Sequence, residues 1–570
     1  MATLTMSIDP LDIAIKQWED AHGLLSAALK GYLDSCTSLE TILGFRCNYQ
    51  NTRGVAFRIE STLIPLQCDT TQQLARITST LIRTRNRLAS PIFRLPDDVL
   101  LEIFLHVVYA PENQTLSVEE YIWMMHSSRY NLMAVCSDWR NFAYNQGVFW
   151  EVIPASDAWI EHEVTERSIQ RAGNRSLRLV MMPNSSISRL IKIVKEHISR
   201  FCSLNVQSYC LNDIHDLIRQ LSRDDSRISE LSIHYGNLSY RPPDELESAF
   251  LIYPESLDQA PFTRLIQPLS VLRLSNCLVQ WANTSFSDRL VELFIRGVKL
   301  PNSGSAMASF LSAIASANEL RNLKVIDLKA CYNPAETAGL MARPNIVFPK
   351  LQTLVLQNLL FNVLELLLLV IAPGSHHLTL NITNQVVQTL HLFDPTGFDS
   401  YEAVEPDRLI ALLSRFNIDR LSLLGWPYEP NWLTGLEVRR LLDLLPGHGS
   451  KEMELDGWRI DQDFCRELST TATSTSENER GNLVVPRLES LEFRRVSLSD
   501  EEGFKRLLGS IPVRKLAFED SALLIGEGDW KSLEGDEDII KWLTYNVPGL
   551  CFIPATHMPT LNRTDGWPLW

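Results

Sequence analysis

None of the ten cysteines in this 570-residue chain lies in a CxxC pair. Cys36, Cys47, Cys68, Cys136, Cys202, Cys210, Cys277, Cys331, Cys465 and Cys551 are too scattered to supply a zinc knuckle or a thioredoxin-type redox motif. The opening "MATLTMSIDP" lacks the basic and then apolar layout of a secretory signal. Long apolar runs are missing too. The most hydrophobic window, 351–372, is interrupted by Gln352, Gln357, Asn358, Asn362 and Glu365, too polar for a bilayer span. These absences point to an intracellular chain, cytoplasmic or nuclear, with reduced thiols and no membrane contact. Positive charge is in deficit as well: the formal net charge is −15. A phosphate backbone attracts basic surfaces, so nucleic acid is excluded as the main partner. The one local basic run, Arg76, Arg83, Arg85, Arg87 and Arg94, reads as a solvated helix face.

Catalytic patterns are equally scarce. There is no G-x-S-x-G elbow, no G-x-x-x-x-G-K-[ST] phosphate loop and no H-E-x-x-H. His376 and His377 adjoin a predicted strand, where neighbours point to opposite faces and do not chelate together. Cys136 sits on an apolar helix face with no motif partner, which predicts an inert thiol. Neither an enzyme nor a cofactor or metal site is expected.

What the chain does have is a change of pattern near its first third. Residues 1–90 carry helical spacing, with Leu11, Ile15, Trp18, Leu24, Leu25 and Leu29 in one segment and Leu74, Ile77, Leu81 and Leu88 in another. "GFRCNYQNTRG" (44–54) reads as the loop between them. "LPDDVLLEIFLHVV" (95–108) follows. Pro96 suits a first helical turn, and Asp97 and Asp98 complement the positive end of the helix. Val99, Ile103 and Val107 form one apolar row and Leu100, Phe104 and Val108 the row beside it, an unusually wide apolar face for a short helix. Ser117 and Glu120 have the spacing of a capping box for a second helix. Val135, Trp139 and Phe142 are expected to share a third helical face.

From about residue 175, short L-x-L strands recur: 176–180, 230–234, 271–275, 292–296, 325–329, 353–357, 389–393, 420–424, 452–456, 490–494 and 515–519. Helical segments lie between many of them, at 189–201, 305–317, 407–416 and 499–511, the last with Ser499 and Glu502 spaced as a capping box. Alternation of this kind is a repeat signature, because each unit buries its strand face and helix stripe only by stacking on its neighbours. A Rossmann-like sheet would show longer β-branched strands and a Gly-rich first turn, and neither is present. "STTATSTSENERGN" (469–482) has no apolar anchor and reads as a flexible insertion, and residues 525–538 are acidic. The tail ends in "TDGWPLW", expected to fold back as a cap burying at least one of Trp567 and Trp570, the alternative being a free tail whose aromatics bind a partner.

"LPDDVLLEIF", then "VCSDWR", then "VFW" resemble, in order, the three parts of the F-box pattern over about sixty residues, from Arg94 to Ile153. With the repeats behind it, the chain resembles the F-box/leucine-rich-repeat proteins, in the form common in mushroom-type fungi. Two features depart from the pattern: Asp98 stands where glutamate is commoner, and Tyr109–Tyr130 is longer than the usual link between the first two helices. The resemblance implies an α/β chain with a helical N-terminal region (1–90), a three-helix F-box (91–153), an irregular leucine-rich-repeat solenoid (154–555) and a C-terminal tail (556–570). It further implies a substrate receptor of an SCF-type ubiquitin ligase, docking on a Skp-type adaptor and through it a cullin, and presenting an unknown protein substrate. The alternative is a repeat scaffold without a ligase role. Carried over by position, adaptor contacts fall to Leu95, Pro96, Val99, Leu100, Ile103, Phe104, Val135, Cys136, Trp139, Phe149 and Trp150. Physics favours a partner surface here, since three short helices make too small a core to hide this many large apolar groups.

Overall fold

The computed structural model describes residues 9–553 except 46–51, 110–117, 157–161, 183–186, 223–226, 237–248, 252–257, 302–304, 343–344, 392–399, 427–428, 445–451, 470–487, 512, 526–528, 534–536 and 548. The chain divides into two compact units, Met1–Leu101 and Glu102–Trp570, the division running through a continuous helix.

The first unit is built from two long helices, α1 (Pro10–Phe45) and α2 (Thr52–Ala89), followed by a single 3-10 turn at Pro91–Arg94. Asp9 starts α1 by accepting a hydrogen bond from the Leu11 N–H (2.9 Å). The stretch 44–54, expected as a loop, overlaps both helices: Gly44 and Phe45 finish α1, and Thr52–Gly54 begin α2. Neither helix buries its apolar stripe among the described residues: Leu11, Trp18, Leu25, Leu29, Leu74, Ile77 and Leu81 are all exposed.

In the second unit the helices α3 (Asp97–Tyr109, shared with the first), α4 (Val118–Val135) and α5 (Ser137–Asn145) lead through a 3-10 turn at Gly147–Trp150 into a sheet. Its strands, numbered here in chain order, are β1 (Val152–Ser156), β2 (Leu177–Met182), β3 (Phe201–Ser208), β4 (Glu230–Tyr235), β5 (Val271–Ser275), β6 (Glu292–Arg296) and β7 (Asn322–Ile326). The second half comprises β8 (Thr353–Gln357), β9 (His377–Ile382), β10 (Arg420–Leu424), β11 (Glu452–Asp456), β12 (Leu488–Arg494), β13 (Val513–Glu519) and β14 (Leu550–Ile553). Every pairing is parallel, and spatial order equals chain order throughout the 14 strands.

Register follows the leucines. Ile233, Leu274, Ile295, Val325, Leu356, Leu380, Leu421, Met453, Leu491, Leu516 and Leu550 pair in succession as one apolar row across the sheet. A one-residue slip would carry each of these to the opposite face, so the row specifies the pairing. The helices between strands stack in the same order. Ala306–Ala315 packs on Pro334–Met341, which packs on Phe361–Val370; Pro406–Leu413, Gly435–Leu444, Gln462–Ser469 and Glu501–Ser510 form a second run.

A recurring turn ends the strands. Directly after β5, β6, β7, β8, β11, β12 and β13 come Asn276, Gly297, Asp327, Asn358, Gly457, Arg495 and Asp520, all with φ between 46° and 71°. The N–H groups of the first six donate onward to the next strand, as in Asn276 to Arg296 (2.8 Å) and Gly457 to Arg494 (2.9 Å). Left-handed backbone favours Gly, Asn and Asp, which accounts for six of these seven residues; the exception, Arg495, is held by its N–H donating to the Glu519 carbonyl (2.8 Å).

Several expectations need correction. The strand expected at 325–329 lies at Asn322–Ile326, because Asp327 takes up the left-handed turn. The strand expected at 389–393 is Gln388–His391, and it pairs antiparallel with Ser400–Ala403 outside the main sheet; β9 occupies the slot instead. Strands β1, β3 and β14 were not anticipated. The cap of helix 501–510 is Asp500, whose carboxylate accepts from the Gly503 N–H (3.0 Å), rather than Ser499. Ser117, the insertion at 470–482 and the tail with Trp567 and Trp570 lie outside the described residues.

Candidate docking surface

Helix α3 opens with the Pro96 carbonyl accepting the Leu100 N–H (3.0 Å), and Asp97 and Asp98 occupy its first turn. Its two apolar rows part company. Leu100, Phe104 and Val108 are buried, whereas Val99, Ile103 and Val107 are 41%, 37% and 48% exposed. Both rows being apolar, one makes a core while the other is left facing water.

Phe104 anchors the buried row in the second unit. Its ring meets Trp139 at 4.8 Å and Phe142 at 5.6 Å edge-on, and lies 6.3 Å from Phe149. Such edge-to-face pairs add roughly 0.5–1.5 kcal/mol each beyond the area they bury. The Trp150 indole N–H donates to the Ala143 carbonyl (2.9 Å), which fixes the end of the segment against α5.

Sequence spacing had put Val135, Trp139 and Phe142 on one helix. The chain instead breaks at Cys136: Val135 ends α4, and the Cys136 sulfur caps α5 by accepting from the Trp139 N–H (3.4 Å). Val135 is thereby left 58% exposed.

The residues singled out from sequence therefore sort into three groups. Leu95, Pro96, Val99, Ile103 and Val135 are exposed. Cys136 and Trp139 are half-buried. Leu100, Phe104, Phe149 and Trp150 are buried within the chain itself and present no surface in this structure. Further exposed apolar side chains outside the motif are Val107, whose row at i+4 was legible, and Trp123 on α4, which carried no motif signal.

A second feature of the molecule is electrostatic. Across β10–β13, Arg420 pairs with Glu452 (3.2 Å), Glu454 (3.0 Å) and Glu492 (3.5 Å), and Arg494 with Glu492 (2.7 Å), Glu454 (3.1 Å) and Glu519 (3.4 Å). These side chains come from the strand positions alternating with the apolar row, hence from the opposite face of the sheet. Arg495 holds Asp456 (2.5 Å), yet burial pushes that carboxyl up to about 7, against the pull of the arginine. Sequence reading missed this network because pairing across strands is invisible in a linear pattern.

Among the described residues, no group of three or more His, Cys, Asp or Glu side chains is placed to hold a metal ion. No described helix is long and apolar enough to cross a membrane. No protein-family model matches the chain, and no curated protein matches it.

Proposed function

We propose that the chain is the substrate-recognition subunit of an SCF-type ubiquitin ligase, with an F-box that docks on a Skp-type adaptor and a leucine-rich-repeat solenoid that holds the target protein. The observation that carries this reading is the exposed apolar row Val99, Ile103 and Val107 on α3, preceded by exposed Leu95 and Pro96, in the segment whose residues resemble the F-box. A helix face of this kind gains free energy only when another surface removes it from water, about 25 cal/mol per Å² of apolar area.

The repeat reading is supported by the in-order parallel sheet, the single apolar row and the left-handed residue closing successive strands. Stacked units of this sort offer a long, regular surface to another protein. On this reading the chain performs no chemistry itself: it binds, through an adaptor at one end and a target on the repeats. On the charged sheet face, Arg420 and Glu452 keep much of their side chains exposed, and it is there that the target's charge pattern would be selected.

The test is a pull-down comparing the wild-type chain with a Leu95→Ala/Pro96→Ala double variant. Recovery of the Skp adaptor and cullin with the wild type alone supports the ligase role. Recovery of the adaptor without a cullin favours a scaffold instead, and failure of the wild type to capture the adaptor refutes the F-box assignment.

A further inference from the structure

We infer that a cavity lined by Arg129, Arg167, Arg171, His126, Tyr144 and Trp150 is a binding site for a small free oxyanion of the phosphate type. The cavity measures about 120 Å³, and no carboxylate lines it among the described residues. A single water needs roughly 10–15 Å³ of such space, so the cavity has room for a tetrahedral group of five heavy atoms.

Arg129 is the centre of the case. It is 1% exposed, and a guanidinium remains charged at any physiological pH. One terminal nitrogen, Nη2, donates to the Tyr109 hydroxyl (2.7 Å), but Nε and Nη1 are buried with no hydrogen-bond acceptor among the described residues. The rings of Tyr109, Phe149 and Trp150 lie 5.5, 5.9 and 5.6 Å from its central carbon. Such ring contacts offset part of the cost of burying a cation and leave its N–H groups unmet.

A second guanidinium is fixed at the same wall. Arg171 lies over the Tyr144 ring (4.3 Å) and the Trp150 ring (4.6 Å), which holds its planar donors in a set orientation. Planar, pre-oriented arginines recognise phosphate oxygens bidentately, and low local polarity strengthens each charge-assisted bond. His126 adds a ring nitrogen, Nε2, that is also buried without a partner among the described residues. Burial, reinforced by the charge of Arg129, holds this imidazole down at about 4, so it enters the site neutral at pH 7. Buried Arg129 and His126 nitrogens without a partner, in one cavity with no carboxylate in its lining among the described residues, together define an anion site. This site stands whether or not the chain binds an adaptor.

The experiment is titration of the full-length chain with inorganic phosphate by calorimetry and thermal melting, against sodium chloride at matched ionic strength. Phosphate is expected to bind and to raise the melting temperature, with chloride doing neither. Arg171→Gln, a half-buried residue whose loss leaves the Phe104 core untouched, is expected to weaken phosphate binding at least tenfold. Arg129→Gln removes a buried group and risks the fold, so Arg129→Lys serves as the second variant, expected to weaken binding by a similar factor while remaining folded. Phosphate no better than chloride, or an Arg171→Gln variant that binds as the wild type does, overturns the assignment.

Discussion

Ile103 and Phe104 are chain neighbours on α3 with opposite surroundings, and a pair of substitutions separates docking from folding. Ile103 is 37% exposed, so an aspartate there keeps its carboxylate in water in the free chain, and Ile103→Asp should change stability by no more than about 1 kcal/mol. At an interface centre the same carboxylate would be desolvated without a partner, at a cost of roughly 2–5 kcal/mol. At 1.4 kcal/mol per decade this is a ~30-fold to several-thousand-fold loss of affinity for the adaptor. Phe104 is 1% exposed and packed edge-on against Trp139 and Phe142, so Phe104→Ala should destabilise by about 3–5 kcal/mol. The assay pairs calorimetric titration of a purified Skp-type adaptor with a urea unfolding curve on each variant. Ile103→Asp should lose binding and keep its midpoint; Phe104→Ala should lose its midpoint. An Ile103→Asp chain that binds the adaptor at wild-type affinity would falsify the docking role of the exposed row.

Other outcomes follow from the sheet. Leu354 is 2% exposed and paired on both sides, so Leu354→Ala should cost about 2–5 kcal/mol and loosen amide protection in β7 and β9 by hydrogen exchange; protection loss confined to β8 would contradict shared repeat stability. Asp456, raised from 3.8 to about 7 mainly by burial, binds its proton more tightly folded than unfolded, so its contribution is greatest below pH 4 and is lost as pH rises through about 7. Asp456→Asn should therefore flatten the fall in stability between pH 4 and pH 7, a slope on the order of a few kcal/mol in denaturant titrations; an unchanged slope sinks this account. Exposed Cys36, Cys68, Cys210 and Cys551 should react with a thiol reagent in the native chain, while Cys277 and Cys465, both pushed up to about 12 chiefly by burial, should react only on unfolding. Rapid native labelling of Cys277 would contradict its placement.

Local chemistry alone was enough for most of the strands of the main sheet. Segments such as Val271–Ser275, Glu292–Arg296, Thr353–Gln357, Arg420–Leu424 and Glu452–Asp456 were legible to the residue, because leucine at alternate positions can bury one strand face in only one register. The wide apolar face of α3 was equally plain in the spacing of Val99, Leu100, Ile103 and Phe104. What spacing could not decide was which row would be core. That depended on Trp139, Phe142 and Phe149 arriving from other segments to enclose Phe104, and on the break at Cys136 that turned Val135 outward. The stretch 389–393 repeats the lesson: its L-x-L pattern suits a strand of the main parallel sheet, yet β9 fills that place and Gln388–His391 pairs antiparallel with Ser400–Ala403. Alternation specifies that a strand has an apolar face, while the neighbour that covers this face is chosen by hydrogen-bonding and packing with residues distant in the chain, which only the folded molecule brings together.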